Sequence, residues 1–280
     1  MSTVHVTFHC GGRAVTGLPG EPVAAALLRT GQHVCALSAY RRRPRGVMAL
    51  GADEANALLQ VDSGPGEPLR PAPQIEVTAG LVLRTGAGVG ELPDRPETAR
   101  YDRVHRHADV LVIGAGVAGL TAAATAARSG KRVILFDEQP AAGGALCARD
   151  RQPDPALLAA LRSPNVLHLQ RTTVIGLYDG GFAVAVERRT DHLPNPPPTR
   201  ARMRTWHVRA SEVVLATGAQ QRPLVFPDND RPGILLADAA AGYAQRFGVR
   251  WRRAVVATTD DSGHEAALRL LACGIPVAAV

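Results

Sequence analysis

DVLVIGAGVAGL (109–120) and, ten residues on, GKRVILFDEQPAAGG (130–144) decide the fold. DVLVI is a continuously apolar run of strand length, and the next residues are GAGVAG, carrying Gly114, Gly116 and Gly119. A G-x-G-x-x-G alone is weak evidence. Here it directly follows a strand and directly opens a helix, Val117 to Ser129, closed by Gly130. Each glycine then has its own task. Gly114 permits the tight strand-to-helix turn. Gly116 lets the backbone approach a pyrophosphate. Gly119 lets helix and strand pack closely. The free N–H groups of the helix start and the positive end of its dipole favour phosphate there, so that Ala115, Val117 and Ala118 are also expected at the cofactor.

RVILFDE supplies the second strand. Two apolar strands separated by a helix imply a buried parallel sheet. The fingerprint requires an acid at the tip of that second strand to bond ribose hydroxyls. The spacing favours Asp137, with Glu138 one residue further as the fallback and Gln139 beside them. An acid there repels a 2′-phosphate, which disfavours NADP. Gly143 and Gly144 suit a loop lying close to the cofactor. ATGA (216–219) ends another apolar strand, SEVVLATGA, so that Thr217 and Gly218 are also expected near the dinucleotide.

Working outward, residues 1–85 read as a small α+β domain of β-grasp type. Val4 to Phe8 alternates, Gly11-Gly12 turns, and Ala14 to Gly17 returns as a hairpin. Pro22 opens a helix that Gly31 closes. The runs ALLQV (57–61) and IEV (75–77) read as further short strands. Residues 86–107, rich in Gly, Pro and charge, read as a linker. Residues 108–280 read as a Rossmann-type FAD/NAD(P)-binding domain. It includes a short helix near 154–162 and an inserted antiparallel sheet from Thr173 to Val208. At its end, strand AVVATT, helix HEAALRLLACG and strand IPVAAV form a second βαβ pattern with an unpaired edge. That pattern reads as an incomplete half-domain, truncated at the C-terminus.

With 280 residues, 46% of them apolar and 20% charged, the chain has enough material for a sizeable core. No apolar run reaches the ~20 residues of a membrane span, and MSTVHVTFHC is not a secretory leader. A cytoplasmic protein is expected, with no membrane and no nucleic-acid partner. The net charge of +7 comes from scattered arginines with only 4% aromatic residues, too few for stacking platforms. The four cysteines, Cys10, Cys35, Cys147 and Cys273, are too far apart in sequence for metal-ligand motifs, so no metal site is expected. Arg41 to Gly46 (RRRPRG) reads as a solvated loop docking on a neighbouring domain. TTDDSG (258–263) lacks the glycines of a second nucleotide motif. No residue pattern names a catalytic acid, base or nucleophile.

These stretches carry a family resemblance. DVLVIGAGVAGL, VILFDEQPAAGG and EVVLATGAQQRPLVFPDNDRPGI resemble flavoproteins with two dinucleotide-binding domains. Together with FHCGGRAVTGLPGEPVAAALLRTG and YRRRPRGVMALGADEANAL, the last is similar to the alpha subunits of heterotetrameric sarcosine oxidases. The resemblance implies NAD at the Rossmann site, with FAD as the alternative because both share the ADP half. It implies a beta subunit carrying flavin, and small gamma and delta subunits. It implies oxidation of the N-methyl group of sarcosine to give glycine and hydrogen peroxide, with the one-carbon unit passed to tetrahydrofolate. It also implies that the folate-binding half lies beyond this chain. A related branch, with opine oxidase and hydrogen cyanide synthase subunits, carries an iron–sulphur cluster near RPRGVMALGADE. Met48, Ala49, Gly51 and Ala52 stand in that loop with no cysteine, so no cluster is expected. A flavin-dependent reductase fragment and a non-catalytic assembly module are the rival readings.

Overall fold

The computed structural model describes residues 4–94 and 96–280. Residues 1–3, at the start of the expected first domain, and Arg95, inside the expected linker, lie outside the described residues. The chain forms two compact units. One comprises Met1–Thr98, His192–Pro194 and Gln220–Val280; the other comprises Ala99–Asp191 and Asn195–Ala219.

The first unit begins with a hairpin of β1 (Val6–Cys10) and β2 (Arg13–Gly17), followed by α1 (Val23–Arg29). A small antiparallel pair, β3 (Ala36–Leu37) and β4 (Pro44–Arg45), comes next. Strands β5 (Leu58–Val61), β6 (Glu67–Pro71) and β7 (Val82–Thr85) complete the sheet, whose order is β2-β1-β7-β5-β6. β1 runs parallel to β7 while its hairpin partner is antiparallel, and this mixed pairing over one enclosed helix is the expected β-grasp. Alternation decides the faces: Phe8 and Cys10 are buried while Thr7 and His9 point the other way. α1 is enclosed, with every residue from Val23 to Leu28 buried. IEV (75–77) is not a ladder strand. Ile75 O accepts from Val23 N at 2.8 Å and Val77 N donates to Glu21 O at 2.8 Å, so this segment clasps the start of α1.

In the second unit, β8 (Tyr101–Ile113), α2 (Val117–Arg128) and β9 (Val133–Phe136) form the expected βαβ unit. α3 (Ala145–Ala148), α4 (Pro155–Ala160) and β10 (Val166–Leu169) follow; Asp154 caps α4 by accepting from Ala156 N at 2.8 Å. Then come β11 (Thr172–Tyr178), β12 (Phe182–Arg188) and β13 (Met203–Leu215). All six strands form one sheet in the order β10-β9-β8-β13-β12-β11. β11, β12 and β13 pair antiparallel, as the inserted sheet requires, while β13 is parallel to β8.

Two expectations about organisation change. The linker is shorter than 86–107. Tyr101 to His107 belong to β8, paired residue for residue with Met203 to Arg209, and the MRTWHVRA and SEVVL segments are one strand. Polar side chains on both faces hide this half of β8 from a pattern reading; Val104 packs against the core. Nor do residues 108–280 form one body. Residues 220–280 return to the first unit through α5 (Ala237–Phe247), a helix too rich in alanine to stand out as an apolar run. Ala239, Tyr243 and Val249 lie in the same core as Phe8, Val23 and Leu27. β14 (Ala254–Val255), α6 (Ser262–Ala272) and β15 (Val277–Ala279) complete the expected parallel βαβ pattern beside α5. Among the described residues, no helix is long and apolar enough to cross a membrane.

Candidate dinucleotide site

The site forms where β8, β9 and β13 end side by side. Gly114 leaves β8 with φ +100°, and its N–H donates to Phe136 O at 2.8 Å. A Cβ on Gly114 would collide with the carbonyl of Ala216, just past β13. A Cβ on Gly119 would collide with Gly114 O. These two glycines are demanded by the protein itself. Gly116 differs. It has ordinary backbone angles (φ −70°), and a Cβ there would meet nothing nearer than Gly144 Cα at 4.0 Å. The space beside Gly116 is open, as a cradle for a ligand would be. Gly116 is also the N-cap of α2 and offers no capping side chain, so the first N–H groups, around the exposed Val117 and Ala118, face outward.

The second glycine pair closes over this loop. Gly143 N donates to Ala115 O at 2.8 Å, and Gly143 bridges Gly116. At Gly144 (φ +54°) a Cβ would stand 2.9 Å from Gly116 Cα. Thr217 and Gly218 (φ +75°) are exposed and follow directly from Ala216, at the same rim.

The two acids occupy different environments. Asp137 is buried, and its carboxylate accepts from Ala115 N at 2.5 Å and from Gln139 N at 2.7 Å. Burial raises its pKa above the usual carboxylate value, and these two bonds oppose that rise. Glu138 is half-buried, and Gln139 Nε2 donates to its Oε1 at 3.3 Å. Behind them, burial pushes the pKa of His168 on β10 below its ordinary value, with Asp137 pulling the other way. Neither His168 nor the Ala216 carbonyl is marked as a site feature by the sequence. His168 carries no local signal because only the β9–β10 pairing brings it there.

Residues 109–219 match the FAD dependent oxidoreductase family, and residues 3–88 match the 2Fe-2S iron-sulfur cluster binding domain family. The sarcosine oxidase alpha chain of Corynebacterium sp. (strain P-1) is 45% identical over 96% of this chain and 30% of its own length. That of Rhizobium meliloti (strain 1021) is 35% identical over 99% of this chain and 34% of its own length. The chain thus spans about 30% of the length of such relatives. Among solved structures, L-proline dehydrogenase from P. horikoshii shares the fold, with a TM-score of 0.70 and 21% identity over 100% of this chain and 54% of that one.

The two family matches imply two groups, and the residues fit only one. The open cradle at Gly116 suits a dinucleotide. A [2Fe–2S] cluster needs four ligands, mostly thiolates. Residues 3–88 hold two cysteines, Cys10 and Cys35, both fully buried in the core. Burial pushes their thiols up to about 11 and about 12, well away from the thiolate form. The described residues contain no group of three or more His, Cys, Asp or Glu able to hold a metal ion. The chain is thus homologous over nearly its whole length to sarcosine oxidase alpha subunits, with a domain of the 2Fe-2S type preceding one of the FAD-dependent oxidoreductase type.

Proposed function

We propose that this chain supplies the adenine-dinucleotide site of a flavin-dependent amine oxidoreductase of the sarcosine oxidase type. The open space at Gly116, at an uncapped helix start, carries this reading. Diphosphate oxygens accept from the N–H groups around Val117 and Ala118, aided by the helix dipole. Asp137, which accepts from Ala115 N in the glycine loop, is the acid we favour for the ribose hydroxyls, with the half-buried Glu138 as its alternative. Gln139, Gly143, Gly144, Thr217 and Gly218 line the approach. NAD is the occupant we favour, with FAD as its alternative. In the complete assembly a flavin, held chiefly by a beta subunit, would accept electrons from the N-methyl group of sarcosine. Gamma and delta subunits, glycine and hydrogen peroxide as products, one-carbon transfer to tetrahydrofolate and a cytoplasmic location belong to the same proposal. In support, curated relatives over nearly the whole chain are alpha subunits of such an oxidase. A second reading, an opine-type amine oxidase, draws on 35% identity to an opine oxidase component of Agrobacterium tumefaciens (strain Ach5), over 47% of this chain and 28% of that one.

Calorimetric titration of the purified chain with NAD, FAD and ADP tests the site. Binding of at least one, lost in Gly116→Arg with the melting temperature kept, is the expected result. Equal affinity in parent and variant would overturn the assignment. A yellow protein with flavin absorbance as purified would replace NAD by FAD.

A further inference from the structure

Residues 46–57, the loop after β4, belong to the domain that matches the 2Fe-2S cluster binding family. The backbone of this loop turns several N–H groups inward, away from any strand, and such buried donors need acceptors. One side chain answers four of them. Glu54, 3% exposed, accepts from Met48 N at 2.7 Å and Ala49 N at 2.8 Å through Oε2. Through Oε1 it accepts from Asn56 N at 2.7 Å and Ala57 N at 2.8 Å. A buried carboxylate is costly unless its lone pairs are used. Here both oxygens take two N–H bonds each, which fills the acceptor capacity of the ion.

The other side of the loop is used as well. Tyr243, fully buried on α5, donates its hydroxyl to Ala49 O at 2.9 Å, and Leu236 N donates to Met48 O at 2.8 Å. Gly46 packs so closely on Pro232 that a Cβ would stand 2.6 Å from Pro232 Cα. Arg43 pairs with Asp228 and Asp230, and Arg45 with Asp230, at 2.8–3.1 Å. The loop is therefore wound around an anion on one side and gripped by residues 228–243 on the other.

We infer that Glu54 takes the place of an iron–sulphur cluster. Its carboxylate is the buried anion that organises loop 46–57, and the domain is a redox-silent clamp for residues 228–247 instead of an electron carrier. This inference is independent of the dinucleotide reading, because it uses only residues of the first unit.

Three measurements test it. In the parent protein, hydrogen exchange at the Met48, Ala49, Asn56 and Ala57 amides should be as slow as in β1 and β5. Rapid exchange at these four would overturn the inference without any variant. Glu54→Gln keeps the shape but presents an NH2 group to two of the four donors. It should lower the melting temperature by roughly 5–10 °C and speed exchange at the four amides at least about tenfold. A space-filling role predicts parental values for both, and that outcome would sink the idea. Anaerobic incubation with ferrous iron and sulphide should add no cluster absorbance to the spectrum of the parent. Uptake of about two irons per chain with cluster absorbance would also overturn it.

Discussion

At the scale of single residues, the three glycines of GAGVAG separate into two kinds. Gly114 and Gly119 are required by neighbouring carbonyls, whereas Gly116 has room to spare. Gly119→Ala must push the start of α2 away from Gly114 O, at a cost of about 3 kcal/mol or more. Gly116→Ala should cost no more than about 1 kcal/mol, the loss of a favourable N-cap residue. It should still weaken dinucleotide binding, roughly tenfold. Urea denaturation and calorimetry on the two variants would show whether stability and binding divide this way. His168 gives a pH signature. Its folded pKa lies below the 6.5 of a free imidazole, so the unfolded chain takes up a proton that the folded protein refuses. Stability should therefore decline as pH falls through about 6.5. Asp137 works in the opposite sense: its raised pKa adds stability as pH falls toward the ordinary 3.8. Urea midpoints at pH 7.5 and 5.5 should fall less steeply in His168→Gln than in the parent. An unchanged slope would discard this account.

At the scale of elements, legibility follows locality. α1, α2, β1, β2, β9 and the last βαβ pattern announce themselves because a few consecutive residues contain both the periodicity and the stop signal. The first half of β8 does not, since its partner, Met203 to Arg209, lies about a hundred residues away. α5 does carry a local signal, though a faint one: Ala239 and Tyr243 stand four apart on one face, and Gly248 (φ +67°) is a left-handed stop. Spacing favours Asp137 over Glu138 as the acid at the β9 tip, but the hydrogen bonds of Asp137 to Ala115 N and Gln139 N are tertiary and carry no sequence signal. Tyr243 shows how much one helix position carries. Tyr243→Phe keeps the ring in the core but leaves Ala49 O without its donor. We expect a loss of about 1–3 kcal/mol by chemical denaturation. Equal stability would mean that Ala49 O finds another partner.

At the scale of the molecule, sequence order and spatial grouping part company. The dinucleotide unit interrupts the other unit along the chain, since residues 220–280 rejoin the unit formed by the first 98. A sequence reading assigns neighbours along the chain to one body, and nothing local in 220–236 says otherwise. Residues 1–219 alone would lack Ala239, Tyr243 and Val249 from the core around Phe8 and Leu27. Such a truncated chain should bind a hydrophobic dye and lose the cooperative melting of the first unit. A sharp transition matching the full chain would contradict that grouping.

The pairing of β8 with β13 extends this to the site. Each strand is thirteen residues long, and the two stay in step from Tyr101 beside Met203 to Ile113 beside Leu215. At about 3.3 Å per residue they make a plank roughly 40 Å long, with Gly114 and Ala216 at one tip. The glycine rim proposed to seat a phosphate therefore inherits its tilt from the twist of the entire plank, so a disturbance at the far end reaches the glycines as a change of angle.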